Sequence, residues 1–448
     1  MNNHPLSTVL LLTASVAFTA PASAQVVAAG GLHSLALCSD SVVWVWGDFN
    51  SVPVPVGSLT GITAIASGYD HSLALKIDGE VWTWGLNSGG QLGDGTNTSS
   101  TVPVQAGPLI ESTAVAGGYT HSLALGIDAT VWAWGRNIDG QLGNGTNTDS
   151  NVPVQVSSLT GMIAVAGGGY HSLALKNDGT VWTWGANDSG QLGNGSNTDS
   201  NIPVEVNGLT GITAIAGGGS QSFALKDDGT VWAWGWNPNG ELGNGTTTAS
   251  TIPIQVSSLT NITAISGGAF HALAMRNDGT VWAWGSNVFG QLGDGSNTDS
   301  HVPVQLSALS STIAVAAGYQ HSLARKNDGT GRSWGNNGAG ALGDGGFTNS
   351  NTPVQVIGLC ATSSVAGSAS GASITVFPNP TNGKFTLEGL DKSQAMSLEI
   401  RDMLGREVLL SANTDVRSGI DLSTQPDGIY FLSIRIADGV RSAKLIKQ

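Results

Sequence analysis

The chain has 448 residues and a formal net charge of −14, which leaves room for one large domain and one small domain. Residues 374–448 contain as many basic as acidic side chains, so the whole negative excess belongs to the residues before them. Such a surface repels phosphate backbones and no basic patch offsets it, which argues against a nucleic-acid-binding protein.

Residues 6–18 form an apolar stretch that is too short to span a bilayer, and the small residues Ala22, Ser23 and Ala24 follow it. This pattern fits a signal peptidase site, so residues 1–24 are predicted to be a secretory signal peptide. The basic start that such signals usually carry is missing, which leaves a short membrane anchor as the alternative. No other apolar run of the sequence is long enough to cross a membrane.

Residues 25–360 contain a repeat marked by Trp-Gly pairs. Each unit has four short runs rich in branched and aromatic residues, separated by Gly, Asn, Asp and Ser, with no 3.6-residue apolar period. Four strands per unit predict an all-β protein with a seven-bladed β-propeller over residues 25–360. After the first interval the period is 50 residues, and the tryptophans of the pairs are Trp46, Trp84, Trp134, Trp184, Trp234, Trp284 and Trp334.

The third and fourth runs of a unit are joined by Asn177, Asp178 and Gly179, a strong hairpin signal. If Asp178 and Gly179 form a two-residue loop, Leu175 lies opposite Trp182 and Leu173 lies opposite Trp184. A three-residue loop with a bulge would shift this pairing by one, and the first register is preferred because it joins like faces. The paired tryptophans of the repeat are predicted to pack between blades.

The repeat begins and ends out of phase, which suggests how the ring closes. The final run, residues 353–356, and the first three runs are predicted to make one composite blade with no free edge strand. Cys38 and Cys360 are the only cysteines, and both belong to that blade. In an exported protein they are expected to form a disulfide across the seam, with two buried thiols as the alternative.

One face of the predicted ring carries varied residues. Antiparallel strands place the turns before the repeated histidine and the connections after the Trp-Gly pairs on the same side. Exposed aromatic side chains mark binding surfaces, although rings at this position could merely plug the channel. The predicted binding residues are Tyr69, Tyr119, Tyr170, Phe270 and Tyr319 in the turns, with Arg136, Trp236 and Phe289 in the connections.

Other candidate sites are weaker. Six histidines recur once per unit, but blades are too far apart to share a metal, so strand-starting hydrogen bonds are expected. No metal site and no cofactor are predicted. In the seventh unit Arg325 and Arg332 replace a leucine and a tryptophan, and in the preferred register they face each other. That edge is either solvated or holds an anionic group.

The motifs HSLAL, DGTVWAWG and GQLGDG resemble the regulator of chromosome condensation repeat family, and the resemblance covers residues 26–359. It implies a seven-bladed propeller. It says less about function, since members of the family range from a nucleotide exchange factor for a small GTPase to a secreted bacterial inhibitor of β-lactamases. For this chain it implies only that one face of the ring binds protein.

A small-residue linker, residues 361–373, precedes a predicted immunoglobulin-like β-sandwich at residues 374–448. This segment resembles the type A C-terminal sorting domain of the type IX secretion system, which implies the secretion machinery as a partner and a secreted or surface-attached protein. An ordinary accessory sandwich is the alternative. The residues that carry the resemblance include Pro378, Asn379, Pro380, Gly405, Arg406, Gly428 and Tyr430.

These features together predict an exported, non-enzymatic binding protein whose aromatic face contacts an unidentified protein. A carbohydrate-binding or adhesive role is the first alternative. Nucleotide exchange rests on fold analogy alone, because the regular period admits no inserted wedge and no basic tail follows. An enzyme is disfavoured, since no nucleophile and base depart together from the repeat.

Overall fold

The computed structural model describes residues 27–39, 41–107, 109 and 111–360. In the C-terminal part it describes residues 375–377, 381–382, 384–388, 395–402, 407–412, 420–426, 428–436 and 439–447. The predicted signal peptide and linker lie outside these ranges. The chain divides into two compact units, Met1–Cys360 and Ala361–Gln448. Within the ranges described, no helix has the length and apolar character needed to cross a membrane.

The first unit is a seven-bladed β-propeller, as predicted. Each blade is an antiparallel sheet of four strands that follow one another in the sequence. Blades 1 to 3 contain β1 (Val27–Ala29), β2 (His33–Leu37), β3 (Val43–Gly47), β4 (Asn50–Pro55), β5 (Ile62–Ser67), β6 (His71–Lys76), β7 (Val81–Gly85), β8 (Ser100–Gln105), β9 (Ser112–Gly117), β10 (His121–Gly126), β11 (Val131–Gly135) and β12 (Ser150–Gln155).

The same pattern continues around the ring. Blades 4 and 5 contain β13 (Met162–Gly167), β14 (His171–Lys176), β15 (Val181–Gly185), β16 (Ser200–Glu205), β17 (Ile212–Gly217), β18 (Gln221–Lys226), β19 (Val231–Gly235) and β20 (Ser250–Gln255). Blades 6 and 7 contain β21 (Ile262–Gly267), β22 (His271–Arg276), β23 (Val281–Gly285), β24 (Ser300–Gln305), β25 (Thr312–Ala317), β26 (His321–Lys326), β27 (Gly331–Gly335) and β28 (Ser350–Gln355).

The predicted composite blade is wrong. The final strand β28 pairs with β27 of its own blade, and blade 1 has its own fourth strand, β4. Each long connection returns the chain to the sheet it has just left, so the proline-containing run becomes the outer edge strand of the preceding blade. Proline suits that place because an edge strand does not need every N–H for pairing. The repeat alone does not say which neighbouring sheet this run joins.

The preferred hairpin register is also wrong, and the three-residue alternative is the one observed. In blade 4, Leu175 pairs with Val181, Ala174 with Trp182, and Ser172 with Trp184. Gly179 has φ 82° and Asp178 is not among the residues with positive φ. The two-residue turns that suit hairpins, types I′ and II′, both need positive φ at the first position, which Asp178 would occupy, whereas a three-residue loop needs it only at the last.

This register places leucines and tryptophans on opposite faces of each blade, and the two kinds of face meet between blades. Trp184 of blade 4 is fully buried in a cluster with Leu123, Leu125 and Val131 of blade 3. Trp234 of blade 5 packs in the same way on blade 4. The tryptophans therefore do pack between blades, on the face opposite to the one predicted.

The repeated histidines join neighbouring blades. Nε2 of each lies 2.8–3.0 Å from a serine hydroxyl in the next blade. In blade 4 the Ser172 hydroxyl donates to the Gln141 carbonyl (2.9 Å), so it accepts its other bond from the Nε2–H of His121. Trp184 Nε1 donates to the same carbonyl (2.8 Å). We call each such His-Ser pair an interblade latch.

Two further features close the ring. Backbone N–H groups around the central channel donate from one blade to the next, ending with Tyr319 N, which donates to Gly30 O (2.9 Å) across the seam. A disulfide joins Cys38 to Cys360, with their Cα atoms 5.5 Å apart. Because the composite blade does not exist, this bond links two blades rather than lying within one.

Blade 7 corrects the prediction that two arginines face each other. Arg325 pairs with Gly331, and Arg332 pairs with Ala324. Because residues directly opposite each other share a face, the two arginines lie on opposite faces of the blade. Arg325 is buried, and its Nη2 donates to Cys360 Sγ (3.0 Å). Burial lowers the pKa of this guanidinium. The prediction that Arg325 lies at a solvated edge is therefore wrong.

The second unit is also built of strands, in two antiparallel sheets. Its described buried side chains include Phe385, Ile400, Leu432 and Leu445. One sheet contains β29 (Thr375–Phe377), β30 (Lys384–Glu388) and β33 (Ile420–Asp421); the other contains β31 (Ala395–Asp402), β32 (Glu407–Ala412), β34 (Gly428–Ile436) and β35 (Gly439–Lys447).

Candidate functional site

The varied turns and the long connections lie on one face of the ring, which we call the upper face. Backbone hydrogen bonds join them, since Ala186 N donates to Tyr170 O and Trp236 N donates to Ser220 O, both at 2.9 Å. On the opposite, lower face the hairpins bond to the turns between blades. The strand order places these turns as the sequence predicts.

Three tyrosines close the mouth of the channel. Tyr69, Tyr119 and Tyr319 each stand two residues before the repeated histidine or its equivalent, and they line the same opening. Their ring centroids are 5.4 Å (Tyr69 to Tyr119), 4.9 Å (Tyr69 to Tyr319) and 5.9 Å (Tyr119 to Tyr319) apart, all edge to face. Burial raises the pKa of Tyr119, so its hydroxyl stays protonated.

The other four blades have small residues at this position, and three of them have a glycine at which even a Cβ would clash. Gly31, Gly169, Gly219 and Ala269 stand there. A Cβ on Gly169 would lie 2.4 Å from Gly219 O, and a Cβ on Gly219 would lie 2.8 Å from the Tyr119 hydroxyl. Three rings therefore fill the opening. For these three tyrosines the alternative prediction, that the rings plug the channel, is the one that the structure supports.

Tyr170 and Phe270 stand one residue later in their turns and lie beside the plug. Tyr170 packs edge-on against Tyr119, with centroids 5.5 Å apart, and 41% of it is exposed. Phe270 packs in the same way against Tyr319 (5.4 Å). The five predicted turn residues thus form one connected group, which we call the aromatic cluster.

The three predicted residues of the connections stand apart from the aromatic cluster. Arg136 is exposed, Trp236 is 42% exposed and Phe289 is half-buried. They belong to blades 3, 5 and 6. The structure therefore brings five of the eight predicted binding residues into contact and leaves three around them on the upper face. Phe49, in the short connection of blade 1, is 76% exposed there and was not predicted.

The connections are held by a buried asparagine that sequence reasoning missed. In blade 4, Asn187 Oδ1 accepts from Leu192 N (2.9 Å) and its Nδ2 donates to Thr198 O (3.0 Å). Asp199 accepts from Asn187 N (2.7 Å). The signal was present, because an asparagine follows the Trp-Gly pair by two residues in six blades. Such a frame presents the varied side chains from a fixed backbone.

The upper face is acidic. Its turns and connections contain eleven carboxylates, and among the described residues Arg136 is its single lysine or arginine. Burial and the nearby Asp48 raise the pKa of Asp70, and burial and Asp199 raise the pKa of Asp139. No group of three potential metal ligands occurs in the part of the chain that the structure describes.

Few of the predicted sorting residues can be placed. Gly428 begins β34, and Tyr430 is buried with its hydroxyl donating to Pro426 O. The others lie outside the described residues: Pro378, Asn379, Pro380, Gly405 and Arg406.

Family models match both units of the chain. The RCC1-like domain matches residues 48–264, and two models of the regulator of chromosome condensation (RCC1) repeat match residues 278–325 and residues 262–291 with 313–341. The secretion system C-terminal sorting domain matches residues 375–448. No curated protein matches the sequence.

Solved structures share the propeller fold. Prp20p of Saccharomyces cerevisiae is 24% identical with a TM-score of 0.66, over 73% of this chain and 88% of its own. Yeast RCC1 (Prp20) bound to Kap60 is 23% identical with a TM-score of 0.64, over 71% and 84%. Human WBSCR16 is 26% identical with a TM-score of 0.63, over 68% and 84%. The first two likenesses establish the fold alone.

Proposed function

Because this chain belongs to the regulator of chromosome condensation repeat family and ends in a type IX secretion sorting domain, we propose that it is a non-enzymatic binding protein whose upper face captures a protein outside the cell. The sorting domain marks it for export, as a secreted or surface-attached protein. The binding role is the further step.

The observation that carries the proposal is the set of exposed rings in and around the aromatic cluster, which are presented from a fixed backbone. Exposed rings such as Tyr170 and Trp236 bury much area on binding and lose little rotamer freedom. Their backbone is tied down by hydrogen bonds and by the buried asparagines. A preformed surface of this kind binds with a small ordering cost.

The buried histidines support a role without catalysis. They bond to serines between the blades, and burial lowers the pKa of His121 to about 3 and that of His171 to about 4. Groups held neutral inside the ring cannot reach a substrate on the upper face. Nucleotide exchange would rest on fold analogy alone, since the Gsp1p and histone binding named for Prp20p belongs to that protein.

The proposal is tested by capture from the native extracellular fraction, with the full chain immobilised. Replacing Tyr170→Ala together with Trp236→Ala should abolish capture of a protein that the unchanged chain retains. The matched control is Ile77→Ala with Ile127→Ala, because these residues are 81% and 64% exposed on the lower face. Both double variants should keep the melting temperature of the unchanged chain. Equal capture by all three proteins would reject the upper face.

A carbohydrate partner is the second candidate, because the exposed rings of Tyr170 and Trp236 could also stack on sugars. A glycan array probed with the same three proteins separates the two cases. If the unchanged chain and the lower-face control bind a glycan and the upper-face variant does not, the partner in the proposal becomes a carbohydrate instead of a protein.

A further inference from the structure

We infer, resting on the proposed function, that the partner of the upper face is a basic protein surface, which places lysine or arginine side chains against the carboxylates of Asp70, Asp139 and Asp188. The inference comes from comparing the charged residues of the two faces of the ring and the ion pairs that they form.

The upper face has eleven carboxylates against the single arginine, Arg136, among the described residues. It therefore carries most of the negative excess of the propeller. Charge complementarity favours a positive partner and disfavours a negative one. The carboxylates are those of Asp48, Asp70, Asp94, Asp139, Asp149, Asp188, Asp199, Glu241, Asp294, Asp299 and Asp344.

On the lower face, five of the ten described carboxylates contact a lysine of the same blade. Lys176 Nζ lies 2.8 Å from Asp178, and Lys76 Nζ lies 3.0 Å from Asp78 and 2.6 Å from Glu80. Lysines of blades 5 and 7 make the same contact with the hairpin aspartates. The repeat thus supplies several lysines and arginines to the lower face, whereas the upper face has Arg136 alone among the described residues.

Several upper carboxylates are engaged within their own connections. Asp199 accepts from Asn187 N, and Asp294 accepts from Ser296 N (2.8 Å). By contrast, the carboxylates of Asp70, Asp139 and Asp188 accept no hydrogen bond from a described residue and form no ion pair with one, although the nearby Arg136 acts to lower the pKa of Asp139 against the effect of burial. They are the ones available to a partner.

Two of these carboxylates, Asp70 and Asp188, adjoin members of the aromatic cluster along the chain or through a backbone hydrogen bond. Asp70 directly follows Tyr69, and Asp188 lies two residues after Ala186, whose N–H bonds to Tyr170 O. A lysine or arginine stem can pack on an aromatic ring while its charged end meets a carboxylate. Asp70 and Asp139 are half-buried, so a cation would relieve the cost of their partial desolvation. An anionic surface offers no such match, and a neutral sugar brings no positive charge to compensate these carboxylates.

The test uses a displayed library of short random peptides selected on the immobilised full chain. Peptides retained by the unchanged chain and lost on Trp236→Ala should be enriched in lysine and arginine. The variant Asp70→Asn, Asp139→Asn, Asp188→Asn should bind them roughly tenfold more weakly or worse. The control Glu111→Gln, Glu205→Gln, Asp227→Asn removes the same charge from exposed positions off the upper face and should change binding by less than about twofold.

The outcomes separate this inference from the proposed function. Peptides that depend on Trp236 but are neutral or acidic would overturn the basic partner and leave the upper face as the binding surface. Equal loss in both charge variants would overturn it too, because the effect would then be that of net charge. If no peptides are enriched in a way that depends on Trp236, both the basic partner and the upper face as a binding surface are overturned.

Discussion

The residues inside the ring are the same in nearly every blade, whereas those on the upper face vary. In each turn the repeated and the varied positions are only one or two residues apart. The latches His71-Ser122, His121-Ser172 and His171-Ser222 have the same geometry, each at 2.9 Å. One and two residues before each histidine, the chain changes from blade to blade. The repeated positions hold blades together, and the varied positions are free to specify a partner.

The interior has one exception, and it changes at both ends of a latch. Gln221 replaces the histidine of blade 5, and Ala272 replaces the serine of blade 6. Gln221 Nε2 donates instead to Ala269 O (3.3 Å). A buried imidazole N–H without its acceptor would be costly, so losing both members of the pair is less damaging than losing the serine alone.

The largest effect expected from the interior is acid sensitivity. Burial lowers the pKa of His71, His121, His271 and His321 to about 3, against about 6.5 in the unfolded chain. The unfolded state binds more protons between these values, so stability is complete above pH 6.5 and falls as pH drops. Each such histidine should cost about 2 kcal/mol at pH 5. Thermal unfolding followed from pH 7 to 5 measures the loss.

The chain offers its own control for this measurement. His121→Gln with Ser172→Ala copies the exception in blades 5 and 6, and it should make stability less dependent on pH by about one histidine's share. A pH dependence that is unchanged in this double variant, or absent in the unchanged chain, would contradict the neutral buried latch.

The next largest effect should come from the packing between blades. Trp184→Ala removes a fully buried ring and its bond to Gln141 O, and should cost about 3 to 5 kcal/mol. Trp182→Ala is the matched control, because Trp182 is half-buried and should cost less. Urea unfolding compares the two. A larger loss for Trp182 would contradict the assigned register.

The sequence was sufficient for the parts of the fold that depend on period and residue type. Seven units, four strands each, and the sorting domain follow from repetition and motif. The register did not follow, because Asn177, Asp178 and Gly179 fit both a two-residue and a three-residue loop, and the residue types do not show which φ Asp178 adopts. The closure did not follow either, because a repeat has no inherent starting strand.

The sequence predicted on which face the candidate residues lie, but not which of their side chains touch each other. The five aromatic residues were placed together correctly by strand order. Whether a ring plugs the channel or lies beside it depends on its position in the turn. Tyr119, two residues before the repeated histidine, plugs the channel, whereas Tyr170, one residue before it, lies beside the plug. That difference is decided by the space left by Gly169 and Gly219 in neighbouring blades, which pattern alone does not reveal.

The smallest expected effect tests whether the latch works as a pair. Gln221→His alone should destabilise by about 1 to 3 kcal/mol, because the new Nε2–H would be buried against Ala272 without an acceptor. Ala272→Ser alone should be nearly neutral, since its hydroxyl can donate to the Glu241 carbonyl as Ser222 does to Gln191 O (2.8 Å). The two together should restore the latch and recover about 1 kcal/mol beyond the sum of the single changes. Urea unfolding of the four proteins gives this coupling, and purely additive changes would mean that the repeated histidine and serine do not act together.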